Sequence, residues 1–424
     1  MAHHRRSVVI TVLVVALAAL AYLNLAPPRR KLTDPITSHY AVADSQFVRT
    51  MGSLLGPGIL PGNQVTPLRN GAEIFPAMLA AIRSARETIT FETYIYWSGQ
   101  IGKAFTDALS ERARAGVQVH VLLDWVGAGR MDDTLLTEME AAGVEVEKYH
   151  PLRWYTLDRL NHRTHRKLLV VDGRVGFTGG VGIADVWQGH AEDSAHWRDT
   201  HFRVEGPVVA QLQAAFLDNW LESHATLLHD EGYFPPLAPG GTMPAQVFKS
   251  SPEEGSGSAR LMYLLSIAAA RRTLRIASAY FVPDDLSVQE LVAARRRGVA
   301  VEIIVPGPYT DADVVRHASR GRWGDLLAAG VRIWEYQPTM YHTKMMIVDD
   351  AWVSVGSTNF DNRSFRLNDE ANLNVMDSAL AAGLVRDFEE DKGRSREVTR
   401  AAWEARPFLT KAREWAAGLL RSQL

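Results

Sequence analysis

Two copies of one short pattern, His-x-Lys-x4-Asp, lie in opposite halves of this 424-residue chain. The first is His165-Arg-Lys167-Leu-Leu-Val-Val-Asp172 and the second is His342-Thr-Lys344-Met-Met-Ile-Val-Asp349. After six further residues each copy reaches a glycine, Gly179-Gly180 in one and Gly356-Ser357-Thr-Asn359 in the other. In an extended strand, residues i and i+2 point to the same face, so each His projects beside its Lys. A neutral imidazole can attack phosphorus, and a neighbouring ammonium can neutralise the phosphate oxygens. One copy is half a site. Two facing copies supply one imidazole to attack, one to protonate the leaving oxygen, and two ammoniums around the phosphate.

The elements that must carry these residues repeat as well. The first half predicts helix 72–85, strand 88–96, helix 103–115, strand 117–123, helix 133–142 and strand 144–149 ahead of its motif. The second predicts helix 258–270, strand 273–281, helix 285–297, strand 299–305, helix 312–329 and strand 331–336 ahead of its own. The joins match almost letter for letter. Ala115-Gly116-Val117 answers Arg297-Gly298-Val299, and Ala142-Gly143-Val144 answers Ala329-Gly330-Val331, as expected of glycine caps that end a helix before an apolar strand. Such alternation implies α/β layering with a largely parallel or mixed sheet.

Both motifs resemble those of the phospholipase D superfamily, His-x-Lys-x4-Asp-x6-Gly-Ser-x-Asn, and the resemblance spans roughly residues 70–400. Two further stretches are similar to bacterial cardiolipin synthases. One is Trp197-Arg198-Asp199-Thr200-His201; the other runs from Asn359-Phe-Asp361-Asn-Arg363-Ser364-Phe365 to Leu367-Asn368-Asp-Glu370. The first copy departs from the family pattern at Gly182, where Asn is usual, and so lacks one amide donor to the phosphate. The resemblance implies two duplicated α/β domains sharing one composite active site. It also implies transfer of a phosphatidyl group through a phosphohistidine, with His165 as nucleophile and His342 as acid and then base.

The expected catalytic set is therefore His165, Lys167, Asp172, His342, Lys344 and Asp349. Asp172 and Asp349 fall at strand ends, off the His-Lys face by register, and should brace the motif loop rather than touch substrate. Asn359 should donate to a phosphate oxygen, with Ser357 assisting. Glu370, 28 positions after His342, is the expected acceptor of His342 Nδ1–H; Asp199 is the equivalent for His165, with Asp193 next in line. Trp154, Tyr155, Trp187, Tyr309, Trp323 and Tyr341 fall in loops or near the motifs, where they would shape an apolar entrance or simply pack. His162, His165, His190, His196 and His201 form a loose cluster, but no HExxH or Cys pattern supports zinc, and no metal or cofactor is expected.

Composition narrows the classes further. The absence of Cys excludes disulfides and thiolate catalysis, and a net charge of −2 leaves no basic excess for a polyphosphate partner. A nuclease would need a basic groove, and the clusters Arg271-Arg272 and Arg295–Arg297 are short. Residues 8–23 are uncharged and apolar behind Arg5 and Arg6, and read as a single transmembrane anchor in the cell membrane, with a cleaved signal segment as the alternative. Basic residues on both flanks leave its orientation open.

The resulting plan is an anchor (1–26), a linker (27–70), a first phospholipase D-like domain (71–230), a Pro/Gly-rich connector (231–245), a second such domain (246–405) and a helical tail (406–424). The partners are the membrane and a phospholipid such as phosphatidylglycerol. Water as acceptor would make the chain a phospholipase D, and a silent lipid-binding protein would keep the motifs without turnover.

Overall fold

A computed structural model of the protein describes residues 2–25, 32–37, 40–152, 161–252 and 257–424. The first half contributes strands β1 (Leu60–Arg69), β2 (Thr88–Thr93), β3 (Gln118–Asp124), β4 (Glu145–Tyr149), β5 (Arg163–Thr164), β6 (Leu168–Val171), β7 (Val175–Gly179) and β8 (Thr200–Glu205). The second contributes β9 (Met243–Ser250), β10 (Thr273–Ser278), β11 (Ala300–Pro306), β12 (Arg332–Tyr336), β13 (Lys344–Val348), β14 (Trp352–Gly356), β15 (Asn368–Met376) and β16 (Ser395–Glu397). They form one sheet in the order β16-β12-β11-β10-β13-β14-β15-β9-β1-β8-β7-β6-β2-β3-β4, with β5 beside β15.

The sheet is mixed, for a reason visible in its connections. Helical crossovers make β2-β3-β4 and β10-β11-β12 parallel, whereas the short turns after β6 and β13 make the motif strands antiparallel to their neighbours. Strand β2 is buried at every position, and so are β6, β13 and β14, because helices cover both faces. The four glycine joins behave alike. Gly116, Gly143, Gly298 and Gly330 have φ of 91°, 93°, 92° and 87°, and in each case the next residue, a valine, donates its N–H back to a carbonyl five residues earlier.

Three expectations change. Residues 60–69 of the expected linker are β1, which pairs with β8 on one side and β9 on the other and so joins the two halves into one sheet. Its Pro and Gly disguise it, but only two of its ten residues, Asn63 and Val65, are buried, so little apolar alternation was available to read. The helix expected over 312–329 is broken at Arg322 into Asp313–Gly321 and Trp323–Ala328. Finally, the expected membrane span lies in helix Ala2–Leu25, yet among the described residues no helix is long and apolar enough to cross a membrane.

One hydrophobic core runs through both halves. Leu168, Val170 and Phe202 of the first half share a cluster with Met345, Ile347, Val353 and Leu373 of the second. The motif strands are thus anchored from a common interior, which sets the spacing between the two motifs.

Candidate active site

Each motif His sits at the mouth of its strand, and each is tied to the opposite half by backbone bonds. Strand β5 runs parallel to the start of β15, and His165 N–H donates to Asp369 O at 2.9 Å. On the other side Arg198 pairs with Tyr341; Arg198 N–H donates to Met340 O at 3.0 Å and His342 N–H to Arg198 O at 2.8 Å. The lead-in to each His is therefore laced to the carboxylate-bearing segment of the other half.

The orienting carboxylates cross over as a result. His165 Nδ1 lies 2.9 and 3.0 Å from the two oxygens of Glu370, and His342 Nδ1 lies 2.7 Å from Asp199 Oδ2. This reverses the expected pairing of Glu370 with His342 and Asp199 with His165. Asp193 takes neither role and pairs instead with His196 at 2.8 Å. Glu370 and Asp199 do occupy equivalent places in the two halves, each two residues before the partner of the motif glycine in the sheet (His201 for Gly179, Asn372 for Gly356). Chain register located the carboxylates, but only the packing of the halves determines which His each one meets.

Each carboxylate is itself held. Glu370 accepts from Ser357 Oγ and from Ser364 Oγ, the latter at 2.6 Å. Ser357 is thus buried behind Glu370 rather than set against the phosphate as expected, and its Oγ also accepts from Ala371 N–H at 3.0 Å. Asp199 accepts from Trp187 Nε1–H at 3.2 Å and Thr200 N–H at 2.8 Å. Burial raises the pKa of both carboxyls, but the adjoining His and Lys outweigh it and hold Glu370 and Asp199 below the usual carboxylate range.

The imidazoles are driven the other way. Burial pushes His165 down to about 4, Lys167 adding to the effect against the pull of Glu370. Burial and Lys344 lower His342. Both rings are neutral at pH 7, with the Nδ1 proton given to a carboxylate and a lone pair on Nε2. Burial also pushes Lys167 down to about 7 and Lys344 to about 8, so an anion between them restores their full charge.

These groups open on a cavity of about 130 Å³ lined by His165, Lys167, His342 and Asn359. Tyr94 packs edge-on to His165 with centroids 5.5 Å apart, and Trp187 does the same to His342 at 5.3 Å. Asn359 Oδ1 is buried at the cavity without a hydrogen-bond partner among the described residues. At the equivalent first-half position, a Cβ on Gly182 would fall 2.8 Å from Ile95 Cβ. Ile95, another cavity residue, fills the space that an Asn would need.

Arg163 and Arg363 also line the cavity. Arg163 is buried, and among the described residues its Nε and Nη1 have no hydrogen-bond partner, Nη1 lying 3.6 Å from Asp124 Oδ1. Sequence reasoning missed both arginines, together with Tyr94 and Ser364. Arg363 and Ser364 lie inside the motif stretch 359–370, and that was the signal available for them.

Asp172 and Asp349 do not reach the cavity. Asp172 accepts from the backbone N–H groups of Arg86, Glu87 and Thr88, and Asp349 from those of Arg271, Arg272 and Thr273. They clamp the turn before β2 and β10, so they belong to the motif's scaffold and not to its reacting groups. Trp323 and Tyr341 are core residues and Tyr309 is exposed, while Trp154 and Tyr155 lie outside the described residues. Among the described residues no group of three or more His, Asp or Glu has the arrangement to hold a metal ion.

A model of the cardiolipin synthase, phospholipase D-like domain matches residues 78–220 and 263–392, one stretch for each motif. This chain belongs to that family. It is 35% identical over 361 residues to the major cardiolipin synthase of Bacillus subtilis, covering 84% of this chain and 75% of that protein. It is also 35% identical over 405 residues to a cardiolipin synthase of Geobacillus thermodenitrificans, covering 95% and 78%. The phosphatidylserine synthase of Haemophilus influenzae superposes with a TM-score of 0.70 over 90% of this chain and 100% of that one; at 16% identity this shows a common fold only. The cardiolipin synthase family consists of phospholipase D-like phosphatidyltransferases, and this chain is such an enzyme.

Proposed function

We propose that the enzyme joins two phosphatidylglycerol molecules into cardiolipin and releases glycerol, with His165 as the nucleophile. The observation that carries the assignment is the state of the two Nε2 atoms. His165 Nε2 has no hydrogen-bond partner among the described residues, while Lys344 Nζ lies against the His342 ring, 3.0 Å from Nδ1 and 3.1 Å from Nε2. One lone pair is free to attack; the other belongs to a ring with an ammonium packed against it.

In the first step His165 Nε2 bonds to phosphorus and the bond from phosphorus to the headgroup oxygen breaks. The departing glycerol oxygen takes a proton from His342, which the bound phosphodiester anion and Asp199 favour in its charged form. In the second step an acceptor hydroxyl gives its proton to His342 and attacks phosphorus, and the P–N bond breaks. Lys167 and Lys344 offset the charge on the non-bridging oxygens, and Asn359 adds an amide. The additional arginines, Arg163 and Arg363, favour an acceptor that is itself anionic. Helix Ala2–Leu25, with Val9, Ile10, Leu13 and Leu17 exposed, is proposed to hold the enzyme at the membrane that contains its substrates.

Trapping tests the assignment. With phosphatidylglycerol labelled in its phosphatidyl part and acceptor kept scarce, an acid-labile, base-stable adduct should form and map to His165. An adduct on His342 would reverse the roles. Phosphatidic acid as the sole product at every acceptor concentration would make the enzyme a hydrolase.

A further inference from the structure

The C-terminal helix, Phe408–Gly418, has two faces of opposite character. Its inner face carries Glu414 and Ala417, both buried. Glu414 accepts from Arg320 Nε at 3.2 Å and Arg406 Nε at 2.9 Å, which fastens the helix to Asp313–Gly321 and to the chain just before it. At ~100° per residue, Phe408, Trp415 and Leu419 fall on one outward stripe and Leu409, Ala416 and Leu420 on the next. Phe408 is 81% exposed, Leu409 70%, Trp415 69%, Leu419 65% and Leu420 53%. Lys411 borders this face on one edge and Arg413 on the other, and neither has an ion-pair partner among the described residues. Five large apolar side chains turned to solvent are not explained by packing within the chain.

The helix is also fixed to the reaction site. Leu424 O accepts from Arg363 N–H at 3.1 Å and Gln423 O from Arg363 Nη1 at 3.0 Å. Gln423 Oε1 accepts from Asn161 Nδ2, and Arg421 O from Asn362 Nδ2 at 2.9 Å. Arg363 is a wall of the catalytic cavity. Whatever the apolar face touches is therefore held in fixed register with the cavity.

We propose that this outer face docks on an anionic phospholipid bilayer and holds the cavity at the lipid surface. An apolar stripe bordered by cations matches a bilayer interface, where acyl chains take the stripe and headgroup phosphates meet Lys411 and Arg413, with Trp415 at the boundary. A second copy of the chain fits less well. A helix of 11 residues is ~16 Å long and presents far less than the ~800 Å² per partner of a stable interface, and a symmetric contact would set the cations against each other. The proposal rests on the phospholipid-substrate reading, and its test separates the two.

The chain contains no cysteine, so a single Leu419→Cys change can carry a polarity-sensitive fluorophore on the full-length enzyme, with Glu140→Cys on a first-half helix as control. In phosphatidylglycerol vesicles the label at 419 should brighten several-fold and be quenched by spin-labelled acyl chains. The control should stay unchanged, and the response at 419 should be weaker in phosphatidylcholine vesicles. A label that stays in water, or that becomes buried in detergent as protein concentration rises, overturns bilayer docking, the latter in favour of a second copy. The doublet Leu419→Ser with Leu420→Ser should raise KM on vesicles by about 10-fold and leave turnover of a water-soluble short-chain phosphatidylglycerol unchanged. Equal losses on both substrates would reduce the helix to a structural role. If no phospholipid is turned over by the wild-type enzyme, the transferase reading fails and the fluorophore decides docking by itself.

Discussion

The two half-sites carry the same three motif letters but surround them differently. Around His165 the carboxylate is the longer Glu370, fed by two serine hydroxyls, and the motif lysine turns back to its own backbone, Lys167 Nζ donating to His165 O at 2.8 Å. Around His342 the carboxylate is the shorter Asp199, braced by an indole and a backbone amide. The motif lysine there makes the same bond to its own backbone, Lys344 Nζ donating to His342 O at 2.7 Å, but also lies against the ring. The difference begins with one residue. Ser357 of the second half bonds Glu370, whereas at the equivalent Gly180 even a Cβ would fall 2.3 Å from Asp199 Oδ1. A duplicated motif thus meets two different surroundings: a ring on a serine-fed Glu370, and a ring on Asp199 with the motif lysine packed against it.

The comparison is most severely tested by removing each ring. His165→Ala should lower kcat by at least ~10⁴-fold on every substrate, since no second nucleophile is in place. His342→Ala should cost ~10²–10⁴-fold on phosphatidylglycerol but far less for adduct formation from an ester with an activated phenol leaving group, which needs no proton. Equal rescue of both variants by that ester would abolish the distinction between the half-sites.

The crossed carboxylates give a smaller and more pointed effect. Asp199→Asn should behave as a weakened form of His342→Ala, losing ~10²-fold on the natural substrate and recovering with the activated ester. Glu370→Gln should lose a similar factor on both substrates. If the two phenotypes are exchanged, each carboxylate serves the His of its own half.

The pH profile follows from burial. With His342 required as the acid and both lysines as cations, kcat/KM should fall first as pH rises through the lowered pKa of His342, and more steeply through about 7 to 8, where Lys167 and Lys344 lose their protons in the free enzyme. The alkaline limb of kcat should lie at higher pH, because bound phosphate stabilises the ammonium forms. The acid limb should lie near pH 4, where His165 becomes protonated. A kcat/KM that stays flat from pH 7 to 10 would mean that the lysines do not titrate as their burial dictates.

The smallest effect concerns the departure at Gly182. Restoring the family's Asn by Gly182→Asn should destabilise the fold by about 1–3 kcal/mol, because its Cβ meets Ile95, without raising kcat. Adding Ile95→Ala should recover the stability. A Tm unchanged by the single substitution would show that Ile95 yields freely.

Much of the architecture was legible because it is local. The repeated glycine joins, the apolar runs behind each His-Lys pair and the spacing to each orienting carboxylate are properties of short segments, and periodicity and cap chemistry report such properties directly. By itself the sequence determined that there are two His-Lys motifs on matching elements, and that Asp172 and Asp349 stand at strand ends away from the His-Lys face. It did not determine that β1 closes the two halves into one sheet, that Ser357 lies behind Glu370, or that each carboxylate serves the opposite His. The strand pairing and the crossed carboxylates depend on contacts between segments about 140 to 205 residues apart, 143 for His342 and Asp199 and 205 for His165 and Glu370, whereas Ser357 and Glu370 are 13 apart and meet only because β14 and β15 pair. No local preference encodes such pairings. The shared core sets the halves face to face, and the backbone bonds from His165 to Asp369 and from His342 to Arg198 then bring each ring within hydrogen-bond distance of the other half's carboxylate.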